Sequence, residues 1–163
     1  MKNLEDFLAT IASTNDCVVA KRLSPLPLQI EYSLPTDLQY YLENYSSIKL
    51  FKSAEYPLEI VGAEDFLRAN PVIIGEEIED DISNNWFIIA TDGKSQYITI
   101  DLSKERLGKC YDSFWDRHGV AGEQPVIANS FTELLQNLYK NTGNYPYWLE
   151  EGFQSLGDAY DNT

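Results

Sequence analysis

The sequence predicts an α+β domain with a mostly antiparallel sheet between an N-terminal and a C-terminal helix. Three observations carry this. Apolar residues recur at helical spacing near both ends of the chain. Short strand-like runs lie next to one another in the middle, joined by hairpin-type connections. Strands and helices do not alternate as they do in a parallel βαβ sheet. The 163 residues suit one domain.

The first segment, LEDFLATI, places Leu4, Phe7, Leu8 and Ile11 on one helical stripe. Residues 23–34 contain two prolines and read as an extended connection. A second helix is expected to begin near Leu34, with Ser33 as its cap and Pro35 in its first turn, where a missing N–H is harmless. Leu38, Tyr41, Leu42 and Tyr45 form its apolar face. The period then changes. IKLFK (48–52) and LEIV (58–61) read as short strands around Pro57, AEDFLRAN (63–70) as a short helix stopped by Pro71, and VII (72–74) as another strand.

WFIIAT (86–91) and QYITID (96–101) flank Asp92-Gly93, the best hairpin signal in the chain. Alternation puts Tyr97, Thr99 and Asp101 on one face, and Ile98, Ile100 and Leu102 on the other. GKCYDSFW (108–115) and QPVIAN (124–129) supply further strands. The last helix, SFTELLQNLYKN, opens on the capping box Ser130…Glu133, buries Phe131, Leu134, Leu135 and Leu138, and ends at Gly143. Residues 141–163 form an acidic, aromatic C-terminal extension of the same domain.

Composition narrows the function. The net charge is −14, with 26 acids against 12 bases. Between residues 55 and 92, Arg68 is the lone base among ten acids. Nucleic acids and anionic membranes reward basic patches, so a basic protein surface is the better partner. The longest apolar run, WFIIA, is far below the ~20 residues of a membrane helix. The N-terminus lacks the pattern of a secretory signal, which predicts a cytoplasmic protein. Cys17 and Cys110, with one histidine, do not make a standard zinc site and are expected reduced and separately buried.

The stretch GEEIEDDI holds five carboxylates in eight residues: Glu76, Glu77, Glu79, Asp80 and Asp81. Counted from Asp81, calcium-loop positions fall on Ser83, Asn85 and Asp92, but the position that requires glycine is Trp86. Catalytic carboxylate pairs need environments that push their pKa values apart, and five neighbouring acids are more naturally all solvated. An exposed, solubilising loop is the plain reading; a face that steers a basic partner is the functional one. Lys94 and Ser95 mimic the end of a phosphate loop, but Ile88 stands where its first glycine belongs. His118, beside Asp116, has no flagged nucleophile and reads as a turn residue. Tyr111 and Trp115, interleaved with acids, fit either core or an anchored binding face.

Three longer segments then resemble one family: LPTDLQYYLENY, WFIIATDGKSQYITIDLS and CYDSFWDRHGVAGEQPVIANSFTELLQNLY. Together, over Leu34 to Tyr139, they are similar to the SUKH superfamily, which includes the fungal Smi/Knr cell-wall regulators. Ser46-Ser47 departs from the Gly-Gly-like turn common after the second helix. The resemblance implies a twisted antiparallel sheet flanked by helices. It also implies an immunity protein that binds and neutralises a bacterial polymorphic toxin domain, without catalysis, cofactor or metal; the acidic surface, which can imitate phosphates, fits a nuclease toxin. Steering then falls to Glu76, Glu77, Glu79, Asp80 and Asp81, and anchor and rim roles to Trp86, Asp92, Tyr111, Trp115 and Asp116. The alternatives are an interaction module for an endogenous regulatory or wall-related partner, and a metal-assisted hydrolase using the acid run.

Overall fold

The computed structural model describes residues 2–163. Helix α1 (Lys2–Ala12) buries Leu4, Leu8 and Ile11 of its expected stripe, and Phe7 packs half-buried beside them. Each such side chain contributes about 1.5–3 kcal/mol by leaving water. The C-terminal helix α4 (Phe131–Asn141) buries Phe131, Leu134, Leu135 and Leu138. The Ser130 side chain accepts from the Glu133 backbone N–H at 3.1 Å. Glu133 reaches back one residue further than a capping box does, to the Asn129 N–H at 2.7 Å.

Between them seven strands form one sheet in sequence order, every neighbouring pair antiparallel. They are β1 (Val18–Lys21), β2 (Tyr45–Leu50), β3 (Leu58–Ile60), β4 (Trp86–Thr91), β5 (Tyr97–Asp101), β6 (Cys110–Asp112) and β7 (Val126–Ala128). Central strand β4 is buried from Trp86 to Ala90, so WFIIA is core on both sides. Gly93, at φ +79°, turns the β4–β5 hairpin, and Asp92 accepts from the backbone N–H groups of Lys94 (2.8 Å) and Gln96 (3.1 Å). Cys17 and Cys110 are free and buried.

Several elements differ from expectation. Helix α2 spans Thr36–Asn44, two residues later than expected; Pro35 is its N-cap, and Ser33 caps nothing. No side chain caps α2; Asp37 in its first turn accepts instead from Thr132 N (2.9 Å) and Thr132 Oγ1 (2.8 Å) in the first turn of α4, tying the two helices together. Tyr45 is not helical. It opens β2 in extended conformation and stacks on Tyr41, ring centroids 5.9 Å apart. Strand β1 is an element that the sequence does not predict.

The helix expected at 63–70 and the strand expected at 72–74 are replaced by one short helix, α3 (Ala69–Ile73). Arg68 is extended and bridges β4 at Phe87, which holds the preceding residues out of helical geometry. Pro71 then falls in the first turn, where its missing N–H had no partner to lose. The GKCYDSFW strand is only Cys110–Asp112, because Asp112 accepts from Phe114 N at 2.9 Å and closes a turn. No helix among the described residues is long and apolar enough to cross a membrane.

Candidate partner-binding surface

The acid run leaves α3 at Gly75, whose φ of +83° supplies a turn that other residues resist. Glu76, Glu77, Glu79 and Asp80 are exposed. Glu77 lies 3.1 Å from Arg68 in an exposed ion pair. Asp81 behaves differently. It caps the 3-10 turn Ile82–Asn85 by accepting from Ser83 N at 2.9 Å, and it accepts the Tyr160 hydroxyl at 2.8 Å. Partial burial opposes its charge, but the Ser83 and Tyr160 hydrogen bonds outweigh this and hold its carboxyl below the usual range.

Under this segment lies a polar layer. Asn70 of α3 donates to Ser83 Oγ at 3.0 Å and meets His118 Nε2 at 2.7 Å. His118 is buried against the edge of Trp86, and burial lowers its pKa to about 4 although Asp81 opposes the shift. The turn residue expected from the sequence is therefore also an internal strut.

Two expected anchors are corrected by burial. Trp86 and Tyr111 are both 0% exposed. They sit on β4 and β6, on the sheet face that carries Asp101, and the Tyr160 ring closes over Trp86 at 5.9 Å. Asp101, itself wholly buried, accepts from Tyr111 Oη at 2.7 Å, and Arg106 lies 3.5 Å away. These side chains hold the fold and reach no surface. Asp92 is half-buried and serves its hairpin turn.

Trp115 and Asp116 remain at the surface, Trp115 62% exposed. Their loop is fastened from beneath. Arg117 pairs with buried Asp112 at 2.8 Å, and Trp148 Nε1 donates to the same carboxylate at 2.9 Å. Burial nevertheless raises the Asp112 pKa, against the lowering by Phe114 N, Trp148 and Arg117. The loop also borders an open groove of about 490 Å³ lined by Tyr56, Asp92, Lys94, Phe114, Tyr145 and Trp148.

The structure thus does not gather the ten candidates into one patch. Four acids of the run are exposed, Trp115 and Asp116 stand on another loop, and Trp86 and Tyr111 are internal. Sequence reasoning missed the exposed aliphatic residues Leu67, Val72, Ile74 and Ile78, which precede the acid run or, for Ile78, fall within it. Helical phasing over 69–73 would have exposed the pattern, with Ala69 and Asn70 inward and Val72 outward. Among the described residues, no group of three or more His, Cys, Asp or Glu side chains is arranged to hold a metal ion.

Comparisons with known proteins agree with this architecture. The SMI1/KNR4 family (SUKH-1) matches residues 21–137. The chain is 46% identical over 159 residues to a protein of Bacillus subtilis (strain 168) named immunity protein YokJ, covering 98% of this chain and 96% of that protein. No solved structure matches. With most of its length matched, from the end of β1 into α4, the chain belongs to the SMI1/KNR4 (SUKH-1) family.

Proposed function

We propose that this protein is a cytoplasmic immunity protein that binds a toxin domain and neutralises it by occupying its surface, without chemistry of its own. The observation that carries this reading is the 46% identity, over almost the whole of both chains, to a protein named for immunity. The charge distribution supports a basic partner. Exposed Glu76, Glu77, Glu79 and Asp80 raise the encounter rate with a positive surface and repel nucleic acid and anionic membrane. A nuclease fits this description, because its substrate-binding cleft is basic and an acidic surface can stand in for phosphates.

A protection assay tests the reading. A toxin domain found by sequencing the genes beside this one is expressed in cells with and without this protein, and survivors are counted. The expected result is survival that depends on this protein, together with a one-to-one complex on co-purification. Death in both cultures, with no complex, overturns the reading for that toxin and favours an interaction module with an endogenous partner.

A further inference from the structure

We propose that the outward aliphatic face of residues 67–78 is the anchor of the toxin contact, and that it seats in a basic protein cleft with an apolar floor. The proposal rests on the immunity reading and names the surface and the partner chemistry. Leu67 is 49% exposed, Val72 42%, Ile74 41% and Ile78 37%. These are four of the twelve large hydrophobic residues exposed among the described residues, and they fall within one short stretch of chain. Single exposed aliphatic residues are ordinary, whereas four within twelve residues of chain, around one short helix and its exit, mark a segment that is a candidate for cover by a partner.

The cluster is also held still. Inward, Ala69 and Asn70 are buried and Ile73 packs on the core. Asn70 is fixed by Ser83 and His118 on either side, and Arg68 bonds to Asn84. At the far end Asp81 is fastened by Ser83 N and the Tyr160 hydroxyl. A surface already in one conformation loses little freedom on binding, which favours tight association.

Charge selects the occupant. Glu76, Glu77, Glu79 and Asp80 are exposed on the same segment as Ile74 and Ile78, the Glu77–Arg68 pair brings that segment back beside Leu67, and Arg68, the one base of residues 55–92, is engaged by Glu77 and Asn84. A second copy of this chain would set the same acids against themselves across a two-fold axis. A basic protein surface gains from the acids, and a cleft with apolar floor gains from Val72, Ile74 and Ile78. The acids then govern how fast the complex forms, and the aliphatic side chains how long it lasts.

The test uses the toxin domain of the protection assay, purified in an inactivated form. Four forms of the full chain are compared: wild type, V72S/I74S/I78S, E76Q/E77Q/E79Q/D80N, and the control L107S/V120S, which alters exposed aliphatic residues elsewhere. The aliphatic triple variant is expected to weaken binding about a hundredfold, mainly through faster dissociation. The acid quadruple variant is expected to slow association about tenfold at low salt, with little difference at high salt. The control stays within about twofold of wild type, in the range of near-neutral contacts. If wild type binds and the triple variant binds equally well, or no worse than the control, the anchor is overturned and the immunity reading stands. If wild type itself does not bind, both fall for that toxin. Sedimentation is run alongside: a wild-type dimer that the triple variant converts to monomer overturns the proposal in favour of self-association.

Discussion

Trp86 donates its indole N–H to the Asp101 carboxylate at 3.0 Å, where both residues are wholly buried. They face each other in register across β4 and β5. The same carboxylate accepts the Tyr111 hydroxyl from β6 and the Ser103 backbone N–H. One buried side chain therefore ties three strands and the turn after β5. Replacing it by alanine orphans an indole N–H and a phenol together. Asp101→Ala is expected to lower the unfolding free energy by about 3 kcal/mol or more, measured by urea denaturation. Tyr111→Phe removes one donor and leaves the rest, so it is expected to cost only about 1 kcal/mol.

His118 gives the fold a dependence on pH. Burial holds its folded pKa at about 4, against an ordinary value of 6.5. Between these values the unfolded chain takes up a proton that the folded chain refuses. Its contribution to stability is complete above pH 6.5 and is lost as the pH falls toward 4, up to about 3 kcal/mol. Unfolding free energies measured across that window are expected to slope less in His118→Gln than in wild type. Equal slopes would show that the imidazole is not the group responsible.

Gly143 follows the end of α4 at φ +73°. A Cβ there would lie 2.4 Å from Ala54 Cβ and 2.9 Å from Phe51 Cβ. Gly143→Ala is expected to cost more than about 2 kcal/mol, because steric overlap adds to backbone strain. Gly93 has φ +79° but open space around it. Gly93→Ala is expected to cost about 1 kcal/mol, the backbone part alone. Thermal melts of the two variants separate the contributions.

What the sequence made legible follows from how local each signal is. The α1 and α4 stripes repeat over three turns, and Asp92-Gly93 specifies its hairpin within a few residues. Strand β1 has four residues, partly exposed, and owes its extension to pairing with β2. Helix α3 has five residues and is placed by Arg68 on Phe87 and by Asn70 under His118, contacts that no window along the chain contains. The site suffered in the same way. Trp86 and Trp115 both lie in aromatic stretches near acids, and what separates them is long-range: Trp86 sits on central strand β4 against Tyr111, with Tyr160 and His118 closing over it, whereas Trp115 lies on a loop beyond β6.

That separation can be measured directly. Trp86→Ala removes a fully buried indole and is expected to destabilise the fold by about 3–5 kcal/mol, before any question of binding arises. Trp115→Ala removes an indole that is 62% exposed, so its unfolding free energy is expected to stay within about 0.5 kcal/mol of wild type. Binding is the informative readout for Trp115. Its loop is fixed by Arg117 and Trp148 on Asp112, so the indole is presented on a rigid base. If Trp115 is an anchor, truncation weakens the toxin complex by about 2 kcal/mol, seen as faster dissociation at unchanged stability. An unaltered dissociation rate places Trp115 outside the contact and leaves the exposed acids and aliphatic residues of 67–80 to carry it.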